Sequence, residues 1–152
     1  MATIQRAQGD LAAALSSFQI SLGIIERLAK SEPGNVGWQR DLSFTLNRLG
    51  EVQMAQNNLA DALTSFQRGF STIEAIAVGT PDNTGFQFDL TISYAELASV
   101  LRKMNEPKKA LSALQNGQSI IARLTELAPN NTRWTQELAW FNGQIAELKS
   151  NN

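Results

Sequence analysis

Residues 9–56 read GDLAAALSSFQISLGIIERLAKSEPGNVGWQRDLSFTLNRLGEVQMAQ, and the pattern then returns twice. It restarts at Asn57 as NNLADALTSFQRGFSTIEAIAVGTPDNTGFQFDLTISYAELASVLRKM and again at Asn105. Eight leading residues and three copies of 48 account for all 152 residues without an insertion or deletion. The expected division is therefore one repeat domain, 1–152, with copies at 9–56, 57–104 and 105–152. Residues 1–8 align with Leu49–Gln56, the end of a copy, so they are expected to form the last turns of a preceding helix. That start part-way through a repeat suggests a segment of a longer array.

Each copy opens with helical spacing. Leu11, Leu15, Phe18, Leu22 and Ile25 recur at intervals of three and four, and the stripe returns as Leu59, Leu63, Phe66, Phe70 and Ile73. The third copy is looser, with Ala110, Leu111, Leu114, Ile121 and Leu124. Gly9, Asn57 and Asn105 stand where an N-cap is expected, and Pro107 falls in a first turn, where its missing N–H does no harm. Each of these helices is expected to stop at a proline loop: Pro33, Pro81 and Pro129, each followed two residues later by Asn35, Asn83 or Asn131. Proline disfavours helical geometry in the residue before it, and asparagine can cap the helix that follows.

The second helix of the first copy is expected over about 36–56. Its opening signature is an aromatic, an acid three residues on, and a leucine: Trp38, Asp41, Leu42, then Phe86, Asp89, Leu90, then Trp134, Glu137, Leu138. Core positions continue through Leu46, Leu49 and Val52, and in the last copy through Phe141, Ile145 and Leu148. No stretch alternates with period two, so no strands are expected. The short connections force antiparallel hairpins. A hairpin of this size cannot bury its apolar faces alone, and stacking buries them. The reading is all-α: six long helices plus the N-terminal stub, in a right-handed α-solenoid.

Composition narrows the chemistry. A chain of this length buries roughly 70% of its unfolded surface, enough for its own core. Net charge is −1, from 13 basic and 14 acidic residues, which argues against nucleic acid and anionic membranes as partners. No apolar run approaches a bilayer-spanning length, and no signal peptide opens the chain, so a cytoplasmic location is expected. Cysteine and histidine are both absent, which removes disulfides, thiol nucleophiles and the commonest base and metal ligand. No phosphate loop, dinucleotide glycine fingerprint or nucleophile elbow is present. No catalytic residue, metal or cofactor is expected.

The repeat resembles the tetratricopeptide repeat. Leu49-Gly50 in one helix leads across the turn at Asn57-Asn58 to Ala62 and Phe66, and Leu97-Ala98 leads likewise to Ala110 and Leu114. Pro81 looks like the family's closing proline. The period of 48 against the usual 34 or so makes it similar to the long-helix variants found in bacterial multidomain signalling proteins and in kinesin light chain-like proteins. The resemblance implies a protein–protein interaction module that takes a peptide or helix in a concave groove, as one part of a larger multidomain protein. It also implies which helices line the groove: those opening with the aromatic-acid-leucine signature. Carried over by position, the face comprises Phe44, Asn47, Arg48 and Glu51 in the first copy. In the second it comprises Ile92, Ala95, Glu96 and Ser99, running on to Arg102 and Lys103, and in the third Trp140, Gly143, Gln144 and Glu147.

Asp41, Asp89 and Glu137 are read as structural acids in helix first turns, and Trp38, Phe86 and Trp134 as core. Trp140 either anchors a partner or covers the end of the stack. Arg102, Lys103, Lys108 and Lys109 form a basic cluster across one turn, read as solvated. The alternative to peptide binding is a structural module that self-assembles through its open ends, including a homodimer through the terminal helices. Met1, Ile4, Trp140 and Phe141 motivate that alternative, because arrays normally end in polar caps.

Overall fold

The computed structural model describes residues 2–151, and the side chains of residues 7–151. Six α-helices run along it: α1 (Ala2–Ser31), α2 (Val36–Ala55), α3 (Leu59–Gly79), α4 (Thr84–Lys103), α5 (Pro107–Leu127) and α6 (Thr132–Ser150). Among the described residues there is no strand. The fold is an all-α helical repeat, and it divides into two compact units, residues 1–76 and 77–152.

The asparagine expected after each proline does the capping. Asn35, Asn83 and Asn131 are N-caps with extended backbone, and each side-chain oxygen accepts the N–H of Trp38, Phe86 or Trp134 at 3.1, 3.0 and 3.1 Å. The aromatic of the signature is thus the residue whose backbone donor is capped. Three orphan donors are satisfied by one device used three times.

Asn57 and Asn105 have a different role from the one expected of them. They close the preceding helix, with φ of 64° and 59°. The Asn57 N–H donates to Met54 O and the Asn58 N–H to Gln53 O, and the pattern returns with Asn105 to Arg102 O and Glu106 to Leu101 O. This is the left-handed closure that satisfies terminal carbonyls, and asparagine tolerates that backbone better than other residues with a side chain.

The N-terminal stub does not exist as a separate element. α1 continues without interruption through Gly9, which keeps negative φ. Two turns are too short to bury a face against a neighbouring helix, whereas continuing the helix adds one hydrogen bond per residue. Met1 and the side chain of Ile4, which motivated end-to-end assembly, lie outside the described residues.

In the first unit, α2 packs against α1 and against α3. A Cβ placed on Gly50 would lie 2.6 Å from the Phe66 ring, so the glycine is what lets α3 approach. Ala62 and Phe66 are fully buried there. The Ser43 hydroxyl donates to Gly69 O at 2.8 Å, and the Ser65 hydroxyl to Gln53 Oε1 at 2.6 Å. Arg68 reaches back from α3 to Glu26 on α1 at 2.7 Å.

The second unit has its own core, with Phe88, Ala98, Ala110, Leu114, Ile121 and Phe141 at its centre. Here Ala98 and Leu114 occupy the positions of Gly50 and Phe66: the larger residue on one helix meets the smaller on the other. Gly117 lets α6 approach α5, since a Cβ there would lie 2.5 Å from the Phe141 ring. A glutamine bridge recurs at the repeat spacing, with Gln39 donating to Ala29 O at 3.3 Å and Gln87 to Ala77 O at 3.0 Å.

Two sequence expectations change. Asp41, Asp89 and Glu137 sit six residues past their N-caps, in the second turn, and no acid occupies the first turn of α2, α4 or α6. The helix dipole therefore offers them little. And α1, over residues 7–31, is by length and composition apolar enough to cross a membrane. Its uncharged span, residues 11–25, is interleaved with serine and glutamine, so no unbroken apolar run reveals it.

Candidate interaction face

On α2, in the first unit, Phe44 is exposed, and the Arg40 guanidinium lies 5.3 Å from its ring centre. Arg48 pairs with Glu51 at 3.0 Å across one helical turn. Asn47 departs from the expected face. It is 6% exposed and turned toward α3, where its Oδ1 would lie 2.6 Å from a Cβ on Gly69. It cannot meet a surface ligand. The reason is the helix's angular spacing: position 47 lies one turn before Gly50 on the edge that α3 covers, and Gly69 leaves room for its amide there.

In the second unit, α4 and α6 bring part of the predicted set together. The Arg102 guanidinium on α4 donates to Gln144 Oε1 on α6 and pairs with Glu147 at 3.3 Å. Arg102 and Gln144 are half-buried and Glu147 is exposed. Lys103, beside them, is exposed. Ser99 is half-buried, and its hydroxyl donates to Ala95 O of its own helix at 3.0 Å. Ile92 and Ala95 are half-buried against the unit's core. Trp140 stands 36% exposed, with its ring edge-on to the fully buried Phe141 ring at 5.1 Å. Gly143 faces open space.

The basic cluster is not a set of four equivalent cations. Arg102 is engaged by α6, while Lys103, Lys108 and Lys109 are exposed. The three acids of the signature also differ: Asp41 is exposed, Asp89 buried and Glu137 half-buried. Burial pushes the Glu137 carboxyl above its ordinary pKa, and the nearby Arg133 charge offsets part of that rise. Arg133 itself lies 4.6 Å above the Phe88 ring. Among the described residues, no group of three or more acids could hold a metal ion.

A surface cleft of the second unit is lined by Pro81, Thr84, Gln87, Ile120, Leu124 and Leu127. None of the predicted face residues contributes to it. Sequence reasoning also missed the Gln39 and Gln87 bridges and the Arg68–Glu26 pair. The two glutamines were legible as a repeat-spaced pair; the ion pair has no counterpart in the other copies and left no periodic signal.

No protein-family model matches the chain, and no curated protein matches it. Among solved structures, similarity was found to a de novo designed helical repeat protein, DHR64. It is 13% identical at a TM-score of 0.46, over 95% of this chain and 73% of the designed one. Similarity was also found to MamA, 17% identical at a TM-score of 0.39, over 97% of this chain and 93% of MamA.

Proposed function

We propose that the chain is a non-enzymatic protein–protein interaction module that binds a peptide or helix on the face carried by α4 and α6. The observation that carries this reading is on α4 and α6. Arg102, Gln144 and Glu147 converge from two helices, and Trp140 remains partly exposed on the same helix as the latter two. An exposed tryptophan anchored on a buried ring offers apolar area at little conformational cost, and tryptophan and arginine dominate interface energetics. The ion pair is solvent-facing, so exchanging it for a ligand contact costs little.

A peptide-display selection tests the reading. The full chain is compared with Arg48→Glu, a surface change of small effect on stability, and with Trp140→Ala, which gives up the ring contact with Phe141 and is checked by circular dichroism to be folded. Peptides enriched on the parent and lost on Trp140→Ala are expected, and their consensus defines the ligand class. Selected peptides that bind all three proteins equally would place recognition elsewhere.

A further inference from the structure

The cleft between the start of α4 and the end of α5 has a volume of about 410 Å³, within the range of ligand-binding clefts. Both of its walls have helices before and after them in the chain. Leu124 is buried at its floor, Ile120 is half-buried, and Leu127 stands 74% exposed. The rim is charged. Asp82, Arg123 and Glu126 line it, all three exposed, and none makes an ion pair or a side-chain hydrogen bond among the described residues. Arg123 and Glu126 have the three-residue spacing of Arg48 and Glu51, which do pair, at 3.0 Å. The spacing would let them neutralise each other, and they do not.

The repeat separates the frame of this cleft from its lining. One repeat earlier, Pro33, Gln39 and Ile76 hold the places of Pro81, Gln87 and Leu124. The proline stop, the glutamine bridge and the buried aliphatic residue are thus kept. The other places change. Ile120 stands where α3 has Thr72, Arg123 where it has Ala75, Glu126 where it has Val78 and Leu127 where it has Gly79. Asp82 stands where the earlier loop has Gly34. Residues that hold the fold recur, and those that give the cleft its apolar wall and its charge do not. Side chains added at a loop edge on a kept scaffold serve recognition rather than packing.

From this added lining we infer that the cleft takes a basic, apolar protein segment, with a lysine or arginine beside an aliphatic residue. Two carboxylates against one guanidinium leave the rim negative, which selects a cation. The aliphatic residue covers Ile120 and Leu127 and removes their apolar area from water. The stem of the lysine or arginine lies along Pro81 and Leu127, and its charged head meets Asp82 and Glu126. Arg123 donates to a backbone carbonyl of the segment. A cleft with so exposed a wall suits an extended segment lying across it rather than an enclosed small molecule. It lies at the N-terminal end of α4, whereas Arg102 and Lys103 lie at the C-terminal end, about 27 Å along the helix. The inference does not rest on the α4–α6 face, and the loss of one reading leaves the other standing.

Backbone amide NMR on the full chain tests the inference. The probes are the blocked tripeptide acetyl-leucyl-lysyl-leucinamide and its glutamyl counterpart, each titrated to about 10 mM. Shifts are expected to be confined to residues 81–87 and 120–127, with the lysyl peptide binding about fivefold or more tighter than the glutamyl one. Asp82→Asn combined with Glu126→Gln is expected to erase that preference. Leu127→Ser, which places there the residue type that α1 carries at Ser31, is expected to weaken the lysyl peptide about threefold or more through lost apolar area. Leu127 is exposed, so the change leaves the core intact, and circular dichroism checks that each variant folds. No localised shift, shifts gathered around Trp140 and Gln144, or equal affinity for the two peptides overturns the proposal.

Discussion

Gly50 and Phe66 show how one missing methyl sets a helix–helix distance. Adding that methyl to a fully packed ring costs about 1–3 kcal/mol through overpacking, and alanine's better helix propensity returns about 1 kcal/mol of it. Gly50→Ala is therefore expected to lower stability in urea denaturation. Phe66→Leu alone leaves a cavity. The double variant reproduces the Ala98–Leu114 pair of the second unit, and the two changes are expected to couple favourably by about 1 kcal/mol. Strict additivity would show that the two pairs are not equivalent. Glu137 carries a second residue-scale prediction. Its folded pKa lies above the unfolded one because burial disfavours the charge. Such a group stabilises the fold when protonated, and that contribution is lost as pH rises through the folded pKa. At neutral pH the ionised carboxylate costs stability, so Glu137→Gln is expected to melt higher than the parent at pH 7. The difference should vanish below about pH 4, where the unfolded carboxyl is protonated as well.

At the scale of the helix, the repeat uses two asparagine devices with opposite duties. Asn35, Asn83 and Asn131 start helices through the side chain, and Asn57 and Asn105 end them through the backbone. Asn83→Ala removes an acceptor from the first turn of α4 and is expected to cost about 1 kcal/mol, measured by thermal or urea unfolding. An unchanged midpoint would mean that water serves the Phe86 N–H equally well. Both devices were visible as asparagines at the repeat spacing. Their duties were separated only by backbone angle, since one residue type suits an N-cap and a left-handed turn alike. α1 is the exception among the helices. It lacks the break that its register predicts at Gly9, because a turn of this kind persists where the segments on both sides of it have something to pack against.

For the whole molecule, the internal symmetry turns small sequence differences into statements about exposure. Equivalent residues on α1, α3 and α5 share a local sequence environment, yet Phe66 is buried and Phe18 only half so. The peptide-binding reading rests on a face where α4 and α6 stand side by side. Trp140→Ala is expected to abolish peptide binding at that face.

The repeat period, the number of hairpins, the starts of α2, α4 and α6 and the residues that pack across each turn were legible in the chain itself. All of them follow from local rules: a periodic apolar stripe, a proline stop, an asparagine cap, a small residue opposite a large one. Burial of individual side chains was not legible, because it depends on which neighbour arrives. Asn47 looks like a surface residue until α3 covers it, and Arg102 looks like a free cation until Gln144 and Glu147 reach it from a helix some forty residues away. Contacts of that kind join residues far apart in the chain, and no local pattern encodes them.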